Sequence, residues 1–482
     1  MPLDYDLVIV GATVAGFYAA EVAVSLKARV ALVIPQTDRN LNLSIKAFSH
    51  IGNVAKQFIS AEQFGIYCSE IKENKFLENS ISWRYKETKQ WVKSALSNLE
   101  EYKSPALLAA LGVDVIVGDG QFCPKPQLCF EVNNRRLFSR SYLLAPATKP
   151  ITTSKIEGLE AIGYFTPDTI WKIQPPKSLI IIGGEPAGIE LAQTFARLGC
   201  AVTLVVKSSR ILPKEDAEAA FLVQGQLEAE GVRVLTNTEV CQVRKIDGKK
   251  WIQAGNLAIE GDEILLAIGR VADVKSLNLE SVGVKWGRYI QVNEKLQTSS
   301  SRIYACGEAA STYGLEFAGN YQAEVAVKNA LFLPIFKVNY AGIPWGMQTD
   351  PQLATVGLTE AEAIKEYGED LLVLRQYFKS FAAAIISGET TGFCKILVRR
   401  NGTILGAVVV GENARELIYP LGLARRENIK VGRLAELGGI SPAFSEMISN
   451  TAAEWGRLRL AGNSRLQDFL EGWFNWRRGT SK

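Results

Sequence analysis

Two stretches of this chain follow one plan, a buried apolar strand running into a glycine turn that opens a helix. The first is Tyr5-Asp6-Leu7-Val8-Ile9-Val10 followed by Gly11-Ala12-Thr13-Val14-Ala15-Gly16. The second is Ser178-Leu179-Ile180-Ile181-Ile182 followed by Gly183-Gly184-Glu185-Pro186-Ala187-Gly188. Such a turn sets a pyrophosphate on the N–H groups at a helix start. Two units in one chain point to two dinucleotides, commonly a flavin and a nicotinamide. At 482 residues there is room for both and for a third domain.

Composition narrows the class further. Hydrophobic residues make up 47% and charged residues 22%, the balance of an ordinary globular protein. Lys plus Arg number 54 against 50 Asp plus Glu, and the net charge of +4 is too small to argue for nucleic acid. No apolar run has the length needed to span a bilayer, and Met1-Pro2-Leu3-Asp4 lacks the basic lead of a signal peptide. Seven scattered cysteines fit a reducing compartment, so a cytoplasmic protein is expected. No metal site is expected. Only Cys123 and Cys129 are close neighbours. The prolines between them read as a turn that lets two half-buried thiols face each other across a hairpin.

Along the chain, residues 5–34 read as a strand, a helix over about 14–27 and a second strand to Ile34. Residues 40–112 read as largely helical, and short strands follow at 113–117, 120–131 and 141–145. Pro150 marks a crossing into the second glycine-turn domain. The run Glu263-Ile264-Leu265-Leu266-Ala267-Ile268 is read as the return to the first domain. From about 341 strands (392–398, 403–410) alternate with helices (360–366, 414–426), the pattern of an α+β domain.

Further segments carry a resemblance. Gly183 to Glu190 runs into Leu191-Ala192-Gln193-Thr194-Phe195-Ala196-Arg197-Leu198-Gly199, and Ile268-Gly269-Arg270 follows. Then come Thr298 through Ile303-Tyr304-Ala305-Cys306-Gly307-Glu308, and Thr349-Asp350-Pro351 through Val356-Gly357-Leu358-Thr359. In that order, over about residues 4–450, the layout resembles the flavoprotein disulfide reductases, with the 183–199 segment most like the mercuric-reductase branch. The resemblance implies an α/β fold of two Rossmann-like dinucleotide-binding domains plus a C-terminal α+β dimerisation domain. The FAD-binding-type domain is then 1–150 with 267–340, the NAD(P)-binding-type domain 151–266, the interface domain 341–462 and a tail 463–482. A homodimer is implied, with FAD and NADPH as cofactors.

The same resemblance assigns roles. Gly11 and Gly16 would set the FAD pyrophosphate, Glu308 the ribityl chain, and Lys46 with Glu190 an ion pair beside the flavin's reactive edge. The last pair also reads as a domain-joining salt bridge, and a buried Lys–Glu pair is no automatic gain in stability. Gly183 and Gly188 build the second turn, and Gly269 sits in a family segment. Lys207 and Arg210, with Val206 in place of the usual acid, match the 2′-phosphate of NADPH or else are two solvated cations.

Departures from the family pattern are many. Where the family carries a Cys-x-x-x-x-Cys pair closed by Pro-Ser-Lys, this chain reads Asn40-Leu41-Asn42-Leu43-Ser44-Ile45-Lys46. Where it carries His-Pro-Thr-x-x-Glu, this chain reads Ser441-Pro442-Ala443-Phe444-Ser445-Glu446. Without thiolates no electrons pass to a disulfide, and a serine hydroxyl does not shuttle protons as imidazole does. His50, the only histidine, reads as a helix-surface residue. Thr13 replaces the glycine that lets backbone approach the pyrophosphate, Ile34 the ribose-binding acid, Ala147 a turn glycine, Glu308 an aspartate. Glu185 puts a carboxylate where a phosphate would sit.

In the tail, Leu466, Phe469, Leu470, Trp473 and Phe474 fall on one helical face among arginines. Leu466–Trp476 therefore suits a membrane interface or docks on protein, its own domain or a twin subunit. Asp468 and Glu471 interrupt the basic face and count against strong lipid binding. The leading expectation is an FAD-dependent NAD(P)H oxidoreductase that passes electrons to a small acceptor such as a quinone or dye without a protein dithiol. The rival is a pseudo-enzyme kept as a binding or assembly module. A dithiol reductase with relocated thiols would need Cys306 or Cys68 beside the flavin, and neither has a partner at the right spacing.

Overall fold

A computed structural model describes residues 3–36, 48, 50–54, 86–87, 89–91, 93–94, 97, 104–153, 155–310 and 318–479. Most of the stretch expected to be helical, with Asn42, Lys46 and Cys68, lies outside the described residues. The chain divides into two compact units, 1–209 with 230–339, and 210–229 with 340–482.

In the first unit, β1 (Tyr5–Val10) runs parallel to β2 (Val30–Ile34), which in turn pairs with β3 (Asp114–Val117). On its other side β1 pairs with β4 (Ser139–Leu144), and the strand Ile303–Ala305 closes the sheet. Such strands are covered on both faces, which is why they read as unbroken Val/Ile/Leu runs. Helix α1 (Val14–Ser25) covers one face through the small buried residues Ala15, Gly16, Ala19, Ala20 and Ala23, so it rides close to the sheet. The other face packs on an antiparallel hairpin, Gly120–Cys123 with Cys129–Val132, whose Phe122 meets Phe130 and Tyr142 edge-on at 5.0 and 5.4 Å. Cys123 lies directly opposite Cys129 in that hairpin.

A second parallel sheet centres on β5 (Ser178–Ile182), followed by α2 (Pro186–Arg197). Here one expectation is corrected. The run Glu263–Ile268 does not return to the first sheet; its strand β6 (Glu263–Leu266) pairs parallel with β5, from Glu263 opposite Leu179 to Leu266 opposite Ile182. An Ile/Leu run buried on both faces suits either parallel sheet, and nothing in its sequence selects one. The crossing back comes at Arg270–Ala272, antiparallel to Thr148–Pro150.

The second unit holds an antiparallel five-stranded sheet, in order Trp345–Met347, Gln352–Gly357, Ile404–Gly411, Phe393–Arg399 and Leu371–Tyr377. Helix Ala414–Arg426 and α3 (Glu446–Ala461) bury Leu417, Leu421, Met447 and Ala452 in the same core. Residues 210–229, read from sequence as part of the nicotinamide-type domain, belong to this unit. They are held by Lys395, which is 1% exposed with Nζ 3.0 Å from Asp216, 2.9 Å from Glu218 and 2.7 Å from Glu360. The final helix α4 (Ser464–Arg477) buries no residue. Among the described residues no helix is long and apolar enough to cross a membrane.

Candidate functional site

The site begins at the turn between β1 and α1. Gly11 adopts φ +113°, and a Cβ there would overlap the Ala145 carbonyl; a Cβ on Gly16 would overlap the carbonyl of Gly11. Both glycines are therefore demanded by close strand–helix packing. Thr13 is the N-cap of α1. Its hydroxyl donates to the Ala145 carbonyl (2.9 Å) and accepts from the Gly16 N–H (3.4 Å), so the side chain folds back against β4's end. The Val14 and Ala15 N–H groups have no partner among the described residues. Two free donors at a helix start with a positive dipole end suit a pyrophosphate, and the residues present fit the diphosphate of FAD.

Glu308 follows the strand Ile303–Ala305 and Gly307, whose Cα packs against Ala15. Its carboxylate accepts from the Thr148 hydroxyl (2.9 Å), which in turn accepts from Arg270 Nε (2.7 Å). Arg270 also donates to the Thr148 carbonyl (2.6 Å) and to both oxygens of Asp168 (2.6 and 3.2 Å). Sequence reading gave no site role to Thr148, Arg270 or Asp168, although Arg270 closes the family segment Ile268-Gly269-Arg270. The available signal was Arg270 itself, a cation directly after an apolar strand and Gly269, which has φ +113°.

Glu190 sits on α2 and is 8% exposed. It shares a helical stripe with Thr194 and Arg197, and that stripe meets Gly52 and Asn53. Phe48 lies 5.4 Å from Phe195, and Arg197 donates to Asn53 Oδ1 at 3.0 Å while pairing with both oxygens of Glu230 at 2.7 and 2.8 Å. Lys46, two residues before Phe48, is outside the described residues.

The second turn differs from the first. Gly183 has φ +123°, and Gly188 packs against Ala267. Glu185 is the N-cap of α2 but makes no side-chain capping bond, and Pro186 occupies the first helical position. The Gly188 and Ile189 N–H groups turn to the Glu185 carbonyl at 3.0 and 3.2 Å. The Gly184, Glu185 and Ala187 N–H groups have no partner among the described residues, so what sets this turn apart from the first is the Glu185 carboxylate at the helix start, which a pyrophosphate would meet as a like charge. Lys207 pairs with Glu239 at 2.6 Å on the surface of the first unit. Arg210 opens the segment of the second unit and donates to the carbonyls of Glu215 and Pro213, both at 2.9 Å.

Five of the six described thiols are poorly placed for redox work. Burial pushes Cys200, Cys306 and Cys394 up to about 12, and raises Cys123 and Cys129 too. A thiol, not a thiolate, is the species these sites hold near neutral pH. Glu446, the glutamate kept from the family's histidine pattern, accepts from the Ala443 N–H at 3.2 Å. His50 is exposed and stacks at 5.8 Å from Trp91.

Residues 5–330 match the pyridine nucleotide-disulphide oxidoreductases, a family of FAD- and NAD(P)-dependent flavoproteins, and residues 343–452 match their dimerisation domain. The chain is 30% identical to a mercuric reductase of Staphylococcus aureus, covering 90% of this chain and 79% of that protein. It is 30% identical to a dihydrolipoyl dehydrogenase of Bacillus subtilis, covering 86% and 90%. The crystal structure of LpdA from Mycobacterium tuberculosis superposes with a TM-score of 0.81 at 23% identity, over 93% of this chain and 99% of that one, a likeness of fold. From its first strand into its C-terminal unit, the chain belongs to the pyridine nucleotide-disulphide oxidoreductase family.

Proposed function

We propose that this protein is an FAD-dependent NAD(P)H oxidoreductase that serves a small acceptor, such as a quinone or dye, without a protein dithiol. The observation that carries the reading is the start of α1, where Gly11 and Gly16 keep the tight crossing and the Val14 and Ala15 N–H groups have no partner among the described residues. A flavin held there supplies hydride and single-electron chemistry between a nicotinamide and the acceptor. Around it the chain's own groups bind and orient. Gly11, Thr13 and Gly16 shape the pyrophosphate seat, and Glu308, braced by Thr148 and Arg270, presents an acceptor toward the ribityl chain. Lys46 and Glu190 stand at the flavin edge, a placement supported by the way Phe48, Gly52 and Asn53 pack on the helix that carries Glu190. Gly183, Gly188 and Gly269 allow close packing of the second domain, and Lys207 with Arg210 meets the 2′-phosphate. Asn42 and Ser441, where the family carries a cysteine and a histidine, remove the route to a disulfide.

Glu185 and Pro186 favour the second reading, a non-catalytic module that retains the family's dimer-forming domain. One preparation separates the two. A yellow protein that releases about one FAD per chain and bleaches on addition of NADPH is the expected result. A protein that stays colourless after incubation with excess FAD belongs to the module reading.

A further inference from the structure

We propose that α4 is an interfacial helix that seats the protein on a bilayer carrying anionic lipid. At about 100° per residue, Leu466, Phe469, Leu470, Trp473, Phe474 and Trp476 share an arc of about 160°. None of these side chains is buried, and Phe469 and Trp476 are 65% and 64% exposed. Trp473 and Trp476 stack on each other, 5.1 Å apart. At its start the helix is tied to the chain before it, where Asn463 caps it and Gln467 donates to the carbonyls of Leu460 and Ala461, while its apolar face stays exposed. Docking on the chain's own domain therefore does not account for the face.

Charge selects lipid over a second copy. Asp468 and Glu471 fall on the arc opposite the aromatics, so they face away from a surface that the aromatics enter. This removes their weight against lipid binding. Arg465 and Arg477 border or interrupt the apolar arc, and with Arg457 they have no ion-pair partner among the described residues. Unpaired cations beside tryptophans suit the headgroup layer of an anionic leaflet. The neighbouring α3 ends in exposed Leu458 and Leu460, which extend the same kind of surface. All of this lies beyond residue 452, where the match to the family's dimerisation domain stops, so the shared dimer surface leaves it unexplained. The placement does not depend on whether a flavin is bound.

The test is co-sedimentation of the full chain with vesicles of phosphatidylcholine alone, or mixed with phosphatidylglycerol, at low and high salt. Binding to the anionic vesicles, weakened by salt, is expected. Arg465→Gln with Arg477→Gln lowers that binding about thirtyfold, at about 1 kcal/mol per cation near the surface. Trp473→Ser with Trp476→Ser lowers it at least about tenfold on both vesicle types. Because α4 buries nothing, these variants fold as the parent does, which the same far-UV spectrum confirms. No vesicle binding by the parent, or equal binding by the variants, overturns the proposal. So does a Phe469→Glu variant that turns a dimer into a monomer on gel filtration, since the face would then belong to a second copy.

Discussion

Replacing Glu185 is expected to tighten NADPH binding. The carboxylate stands at the N-cap of α2, where the helix end would receive the nicotinamide dinucleotide's pyrophosphate. Two like unit charges about 5–6 Å apart repel by about 1.5–3 kcal/mol at an effective dielectric of 20–40. That corresponds to a Kd weaker by about 10- to 150-fold. Folding is little changed, because Glu185 makes no capping bond to lose and glycine serves an N-cap well. Glu185→Gln removes the charge and keeps the bulk; Glu185→Gly removes both. Titration of NADPH fluorescence against each purified protein, at low and high salt, reads the effect. Glutamine should recover most of the gain, and high salt should shrink the difference between variant and parent. Affinities unchanged within about twofold in both variants would refute the repulsion, and with it the idea that this carboxylate faces the phosphates.

Three further outcomes are expected. Lys395→Met leaves Asp216, Glu218 and Glu360 grouped without their shared cation, and urea unfolding should show a loss of about 3–5 kcal/mol. Glu215 has its carboxyl raised from 4.5 to about 7, chiefly by burial and next by the charge of Glu362. An acid raised in the folded state adds stability that is complete below about pH 4.5 and lost as pH climbs through about 7. Glu215→Gln should therefore flatten the stability profile across that window and gain up to about 3 kcal/mol at pH 8, on the scale of 1.36 kcal/mol per pH unit. Gly11→Ala meets both a positive φ and the Ala145 carbonyl, and should cost more than about 3 kcal/mol, read as loss of soluble protein or a much lower Tm.

The parallel sheets were legible because strands buried on both faces leave an unmistakable run of branched residues, and because the glycines at 11, 16 and 183 are sterically obligatory and Gly188 sits in a tight crossing. The hairpin that opposes Cys123 and Cys129 was legible from its prolines. What sequence did not yield were choices between equivalent partners. The run at Glu263–Leu266 suits either sheet, and only pairing with β5 decides it. The Asp168–Arg270–Thr148–Glu308 chain joins residues up to 160 positions apart along the sequence, Thr148 and Glu308, and no local pattern marks such a link. Thr13 reads from sequence as a lost glycine, and the structure adds that its hydroxyl turns inward and caps the helix. A residue type at a motif position tells what was lost, not where the replacement atom goes.

Residues 210–229 are threaded into the C-terminal unit from the middle of the chain. Cutting the polypeptide after Asn339 thus does not release two self-sufficient pieces. The upstream fragment would keep Asp216 and Glu218 but lose the lysine that neutralises them, and the downstream fragment would expose that lysine's berth. Dissecting this protein piece by piece calls for excising or transplanting the 210–229 loop-and-helix along with the last 143 residues, 340 to 482.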